Sequence, residues 1–261
     1  MQWKDVDDYY SSSGILPAAL ERLVVRSAWR FSLLDYVTSP TGVRCLYVLL
    51  LALLVLSAVG LFARVSTIGS VALLFSFHER NNLLLAGGDT VLRNLGFLLA
   101  IAPCVSACSV DRVVIQWRRK EQGHSPLPPQ TMPIWPVRLL TWQLVVIYGT
   151  SVWWKLLGQT WVQGTAVAIP LHHPRFARVS PDVANALIPL TRFLTFSTLR
   201  FEAAWLLLLV PRSLVPQRFR VIPLKRMLIV SGILFHAGIF LLMDVGSFSI
   251  AMMASLPRPA D

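Results

Sequence analysis

The longest apolar stretch covers residues 45–77 and begins CLYVLLLALLVLSAVGLFA. It is too long for one crossing of a bilayer, because ~20 apolar residues span the hydrocarbon core. Gly60, Arg64 and Ser66 interrupt it. The pattern therefore predicts two spans, at about 43–63 and 65–80, joined by a tight turn, the second short enough to be tilted or re-entrant. After the polar turn HERNNLLLAGGD, a third span is expected at about 90–110, ending at Asp111. Segment 111–134 is basic and then proline-rich (PLPPQTMP), which predicts a loop, since proline lacks the N–H that a helix needs. A fourth span, at about 135–157, closes with WWKLLG, and the connection 158–192 is long and polar. A fifth span is expected at about 193–211, stopped by Pro211, and a sixth at about 227–247 after a basic linker.

Residues 1–42 have a different texture. They combine an acidic start (Asp5, Asp7, Asp8), the turn-rich YYSSSGILP and an amphipathic stretch through Leu20, Leu23, Val24 and Phe31. No charged n-region followed by an apolar core is present, so no signal peptide is expected. The predicted fold class is all-α, a polytopic integral membrane helical bundle of about six spans. It comprises an extracytoplasmic arm (1–42), a transmembrane domain (43–254) and a short tail (255–261). No internal repeat is visible.

Composition sharpens that picture. Of 261 residues, 55% are hydrophobic and 14% charged, against about 25% charged in an ordinary soluble domain. Disorder and a small disulfide scaffold are excluded. The net charge of +11 is concentrated beside the apolar runs. One cluster is Arg112, Arg118, Arg119, Lys120 and Arg138; the other is Arg212, Arg218, Arg220, Lys225 and Arg226. The positive-inside rule puts both clusters in the cytoplasm. The arm, the 81–90 turn, the 158–192 connection and the C-terminus then lie outside. No motif supports nucleic-acid binding. Cys104 and Cys108, four apart, would share a helical face as packed thiols, and no Cys/His spacing suits zinc.

Ionisable residues inside a span are costly and so mark candidate sites. Lys155, Arg200, Glu202 and His236 qualify, with Asp244 near a helix end. Lys155 reads either as a snorkelling lysine anchored by tryptophans or as a base, its ammonium desolvated among Trp153, Trp154 and Trp161. Arg200 and Glu202 are two apart and cannot share a face, so Glu202 is expected to meet a cation on another helix. His236 reads as a hydrogen-bonded packing histidine or as a proton relay or quinone-contacting group. The pair His172–His173 lacks helical ligand spacing. In the outer turn, Asp89 is a candidate cap for the third span, beside Asn81, Asn82 and Arg93.

The order of segments resembles the HTTM (horizontally transferred transmembrane) domain, the membrane part of vitamin K-dependent γ-glutamyl carboxylase and of many bacterial homologues. The resemblance rests on GLFARVSTIGSVALLFSFHERNNLLLAGGDTVLRNLGFLLAIAPCVSACSVDR and WPVRLLTWQLVVIYGTSVWWKLLGQTWVQGTA, followed by TLRFEAAW and GILFHAGIFLLMDVGSFSIAMMA. It covers about residues 8–254. It implies a multi-pass protein of the bacterial plasma membrane that uses vitamin K hydroquinone or menaquinol. Lys155 would be the base, Glu202 and His236 further catalytic groups, and Asn81, Asn82, Asp89, Arg93, Trp161 and Gly164 substrate-binding residues.

The family's K-L-spacer-W-x-x-G segment matches Lys155, Leu156, Trp161 and Gly164 with one extra spacer residue. Asn81–Asn82 is followed by Leu83 where the carboxylase has a histidine. Nothing in residues 1–261 resembles the family's domain that recognises propeptides. These departures weigh against peptide carboxylation and leave quinone oxidation. Family members carry a further span before the YSSSGILP-like stretch, so a start upstream of Met1 is expected. The competing reading is a non-catalytic partner in maturation of a secreted peptide, as in the sporulation-delaying-protein systems.

Overall fold

The computed structural model describes residues 5–12, 14–17, 20, 31–37, 39–103, 109–128, 133–217 and 223–257. Leu23 and Val24 of the amphipathic stretch, Cys104, Cys108, Arg218 and Arg220 lie outside the described residues. The described chain is all-helical, its only strand-like feature an isolated bridge between Ala177 and Met243. It divides into two units, Met1–Pro133 and Ile134–Asp261.

In the first unit, α1 (Val6–Tyr10) precedes α2 (Pro40–Val59), α3 (Ala63–Arg80), α4 (Gly87–Ile101) and α5 (Val110–Glu121). Helix α2 starts where its sequence signals a start. Ser39 accepts a hydrogen bond from the Gly42 N–H, and Pro40 occupies the first turn, where no N–H is required. It stops at Gly60, whose left-handed φ of 70° is cheap only without a side chain. Phe62 continues the reversal at φ 46°. The Asp111 carboxylate then caps α3 by accepting from the N–H groups of Phe62 (3.0 Å) and Ala63 (2.9 Å). The expected tight turn between two helices is present, and Asp111, expected to end the third span, is its clamp.

Helix α3 turns a row of small polar residues inward, with Ser66, Thr67, Ser70 and Ser76 all buried. Thr67 meets Ser57 of α2 hydroxyl to hydroxyl at 2.7 Å. The N-terminal segment packs into this unit. Val6, Tyr10 and Leu34 join Val43, Leu50, Leu73 and Phe77 in one cluster. Arg80, 1% exposed, donates from Nη2 to the carbonyls of Ser11 (3.1 Å) and Leu16 (3.0 Å).

In the second unit, α6 (Trp135–Leu156) is followed by the short α7 (Gln159–Gln163) and α8 (Ala168–His172). Then come α9 (Pro181–Ala204), a 3-10 turn (Trp205–Leu209), α10 (Leu224–Leu242) and α11 (Phe248–Ser255). The buried face of α9 is Ala184, Thr191, Thr195, Thr198 and Glu202, and that of α6 includes Leu144, Tyr148 and Val152. Both sets recur at spacings of three, four or seven residues, so each is one stripe of its helix.

Two helices among the described residues are long and apolar enough to cross a membrane, α2 with 20 residues and α10 with 19. Two expected loops are corrected. Segment 111–134 opens with α5, whose N-cap Ser109 accepts from the Arg112 N–H at 3.2 Å. Within 158–192 lie α7, α8 and the first turns of α9, which continues past Pro189. The expected fifth span, 193–211, therefore starts twelve residues into α9 and ends two residues past the 3-10 turn.

Candidate functional site

The second unit places three of the sequence-selected ionisable residues, Lys155, Glu202 and His236, around one cavity of about 670 Å³. Its wall is mostly aliphatic and aromatic, with Phe201, Phe235 and Phe248 among the aromatic members and Lys155, Glu202, His236 and Tyr148 among the polar ones. Each polar member comes from the buried stripe of its helix. Tyr148 and Lys155 are seven apart on α6, two turns along one face. Glu202 ends the threonine stripe of α9, and His236 follows Gly232 by one turn on α10.

Glu202 meets its cation, as its sequence position implied, and the cation is Lys155: Nζ donates to Oε1. The lysine is 20% exposed and the glutamate 6%. The ammonium also lies over the Trp161 ring, 4.5 Å from its centroid. Trp153 and Trp154, which the sequence offered as further cover, are 66 and 71% exposed and point away from the buried stripe. Lys155 is thus a paired ammonium under one indole, not a lone amine among three. Arg200 is exposed and takes no part.

His236, 1% exposed, shares a 2.9 Å hydrogen bond between Nε2 and the Tyr148 hydroxyl. Tyr148 stacks on the fully buried Trp205 with centroids 5.1 Å apart. Phe235 and Phe248 meet the imidazole edge-on at 5.0 and 5.5 Å. Glu202 Oε2, His236 Nδ1 and Trp205 Nε1 are buried with no hydrogen-bond partner among the described residues. Sequence reasoning missed Tyr148 and Trp205. The signal for Tyr148 was its seven-residue distance from Lys155, and for Trp205 its three-residue distance from Glu202.

Gly164 lies outside the cavity wall. It ends α7 at φ 80°, and a Cβ there would meet Arg192 Cγ at 2.7 Å and Phe196 Cε2 at 3.0 Å. Its position is governed by backbone geometry and by close approach to Arg192 and Phe196. His172 is an exposed helix-end residue, bonded through Nδ1 to the Ala168 carbonyl (2.8 Å) and through Nε2 to Asn185 Oδ1 (3.1 Å). Asp244 follows α10 at the surface, where Arg178 donates to it at 3.2 Å. That guanidinium and the Gly246 N–H hold its carboxyl below the usual carboxylate range.

The outer-turn residues belong to the first unit. Asp89 Oδ2 accepts from the Ala86 N–H at 2.9 Å, capping α4 as its position suggested. Asn81 donates from Nδ2 to the Tyr9 carbonyl at 2.8 Å. Arg93 pairs with Glu79 and lies over the Phe75 ring at 4.5 Å. The Oδ1 atoms of Asn81 and Asn82 are buried without a partner among the described residues. Compared with protein-family models, characterised proteins and solved structures, the chain matches none.

Proposed function

We propose that this chain is a multi-pass protein of about six spans in a bacterial plasma membrane, of the HTTM kind. Its second unit would bind a hydroquinone such as menaquinol or vitamin K hydroquinone. The observation that carries the reading is the apolar cavity with an ion pair in its wall. A volume of about 670 Å³ is in the range of small-molecule sites, which are mostly apolar with a few placed polar groups. The residues present suit such a ligand. Phe201, Phe235 and Phe248 offer ring faces and edges to a fused aromatic nucleus, and Lys155, Glu202, His236 and Tyr148 offer groups to its two hydroxyls. Bound there, a hydroquinone would supply two electrons and two protons to an acceptor such as oxygen.

The protein's part is proton management. Lys155 and Glu202 hold one proton between an amine and a carboxylate. Shifting that proton onto Glu202 leaves the neutral amine that base chemistry needs. Glu202 is then the group that sets whether Lys155 can act.

The test uses the full chain in lipid nanodiscs with reduced menaquinone or vitamin K hydroquinone and oxygen. The expected result is oxidised or epoxidised product from the native protein and loss of at least tenfold in Lys155→Ala and Glu202→Gln. No product from folded protein, or product independent of Lys155, would overturn it. A specific observation favours a second reading: Lys155 is already satisfied by Glu202 and Trp161, as in a structural ion pair. On that reading the protein is a non-catalytic partner in maturation of a secreted peptide. Lys155→Ala would then be tolerated in complex formation, while changes in 158–192 would not.

A further inference from the structure

Helix α5 is the element that the basic run concealed. Val110, Val113, Val114 and Trp117 recur at i, i+3, i+4 and i+7, so they form one face. Val110, Val113 and Trp117 are 39, 64 and 62% exposed, so the first unit leaves that face largely uncovered. Arg112, Arg118, Arg119 and Lys120 share the remaining circumference with Ile115, which is 49% exposed, and the exposed Glu121 closes the apolar stripe at the helix end. Arg119 Nε donates to the Ser125 carbonyl at 3.1 Å, folding the following loop against the polar side. Arg118 and Lys120 are exposed and form no ion pair among the described residues.

A second observation fixes where this helix begins. The Asp111 N–H donates to the Gly60 carbonyl at 3.1 Å, and its carboxylate accepts from Phe62 and Ala63. The first turn of α5 is therefore tied to the C-terminal end of α2, one of the two helices among the described residues that are able to cross a membrane. The end of a crossing helix lies at the headgroup layer.

We infer that α5 is an in-plane helix that docks on anionic phospholipid headgroups, with Val110, Val113 and Trp117 in the acyl boundary and Arg118, Arg119 and Lys120 among the phosphates. The inference rests on α2 crossing the bilayer and is independent of any ligand in the second unit. An acidic protein or a nucleic acid would use the cations alone. A bilayer interface also uses an exposed tryptophan flanked by valines.

The experiment uses the full chain with Cys45, Cys104 and Cys108 replaced by serine, in nanodiscs of phosphatidylcholine with or without phosphatidylglycerol. Nitroxide labels are placed singly through Val113→Cys, Gln116→Cys and, on α2, Leu51→Cys, and probed with oxygen and a water-soluble nickel chelate. The expected result is a label at 113 in a lipid-like environment, a label at 116 in water, and a docked fraction that rises with phosphatidylglycerol. Arg118→Gln and Lys120→Gln should each lower the docked-to-undocked ratio about fivefold in anionic discs. A label at 113 as nickel-accessible as that at 116 in both lipids, with Leu51 in hydrocarbon, would overturn the inference alone. A water-exposed Leu51 label would overturn its premise with it. Shielding of both labels by soluble polyglutamate but not by lipid would assign the face to an acidic protein and refute the membrane assignment.

Discussion

The Lys155–Glu202 pair should respond asymmetrically to loss of its two ends. Lys155→Met leaves the Glu202 carboxylate, 6% exposed and with no donor to Oε2 among the described residues, without its cation. Breaking a buried pair from one side costs about 3–5 kcal/mol, and this orphan meets that description. Glu202→Gln leaves an ammonium that is 20% exposed and still rests over Trp161 at 4.5 Å. Water can reach it and the indole attracts it by about 0.5–2 kcal/mol, so the loss should be smaller, about 1–3 kcal/mol. The double variant removes both charges and should be more stable than Lys155→Met alone, giving a coupling energy of about 2–4 kcal/mol. The measurement is a double-mutant cycle on unfolding in mixed micelles of increasing denaturing detergent. Additive single losses, or Glu202→Gln costing more than Lys155→Met, would refute the reasoning.

Three further outcomes are expected. Phe62 sits at φ 46° with its side chain 69% exposed, so Phe62→Gly should stabilise the first unit by about 1 kcal/mol, read by thermal unfolding, whereas Phe62→Val should destabilise it. Arg80→Met removes both tethers to Ser11 and Leu16. It should cost about 2–4 kcal/mol, with faster proteolytic nicking within residues 12–20 as the readout. Burial and the nearby Asp89 carboxylate push the Tyr10 phenol up to about 12. Because its folded value is raised, its contribution to stability is complete below pH 10 and is lost as pH climbs from 10 to about 12. A tyrosine absorbance titration should show one phenol ionising only near the upper end, and Tyr10→Phe should remove that part of the alkaline instability.

How much of this was legible in the sequence depended on whether the signal was local. The interruption at Gly60 announced the α2–α3 turn, and the scarcity of charges within apolar runs singled out Lys155, Glu202 and His236. Helix α5 was missed because Arg118, Arg119 and Lys120 drew attention from the Val110, Val113, Val114, Trp117 spacing, and because the prolines at 126, 128 and 129 gave the whole segment a loop's composition. The start of α9 was missed for a related reason. Pro181 reads as a breaker, yet after Ser180 it is a start signal, since the first helical residue needs no N–H. The contact between Tyr148 and His236 spans 88 residues, and no periodicity in either helix specifies which partner the other presents.

The clamp on the α2–α3 turn has a consequence for synthesis. Phe62 and Asp111 are separated by 49 residues, so a ribosome adding about 5–20 residues per second leaves the turn without its carboxylate for roughly 2–10 s. During that interval the reversal relies on Gly60 and on the Ser57–Thr67 contact, while Phe62 already bears its strained backbone. Arrival of Asp111 converts a provisional hairpin into a fixed one, and the same residue lies in the first turn of α5. Commitment of the first unit to its final geometry is thus timed by the chain's own elongation, and a pause in translation before residue 111 would prolong the vulnerable state.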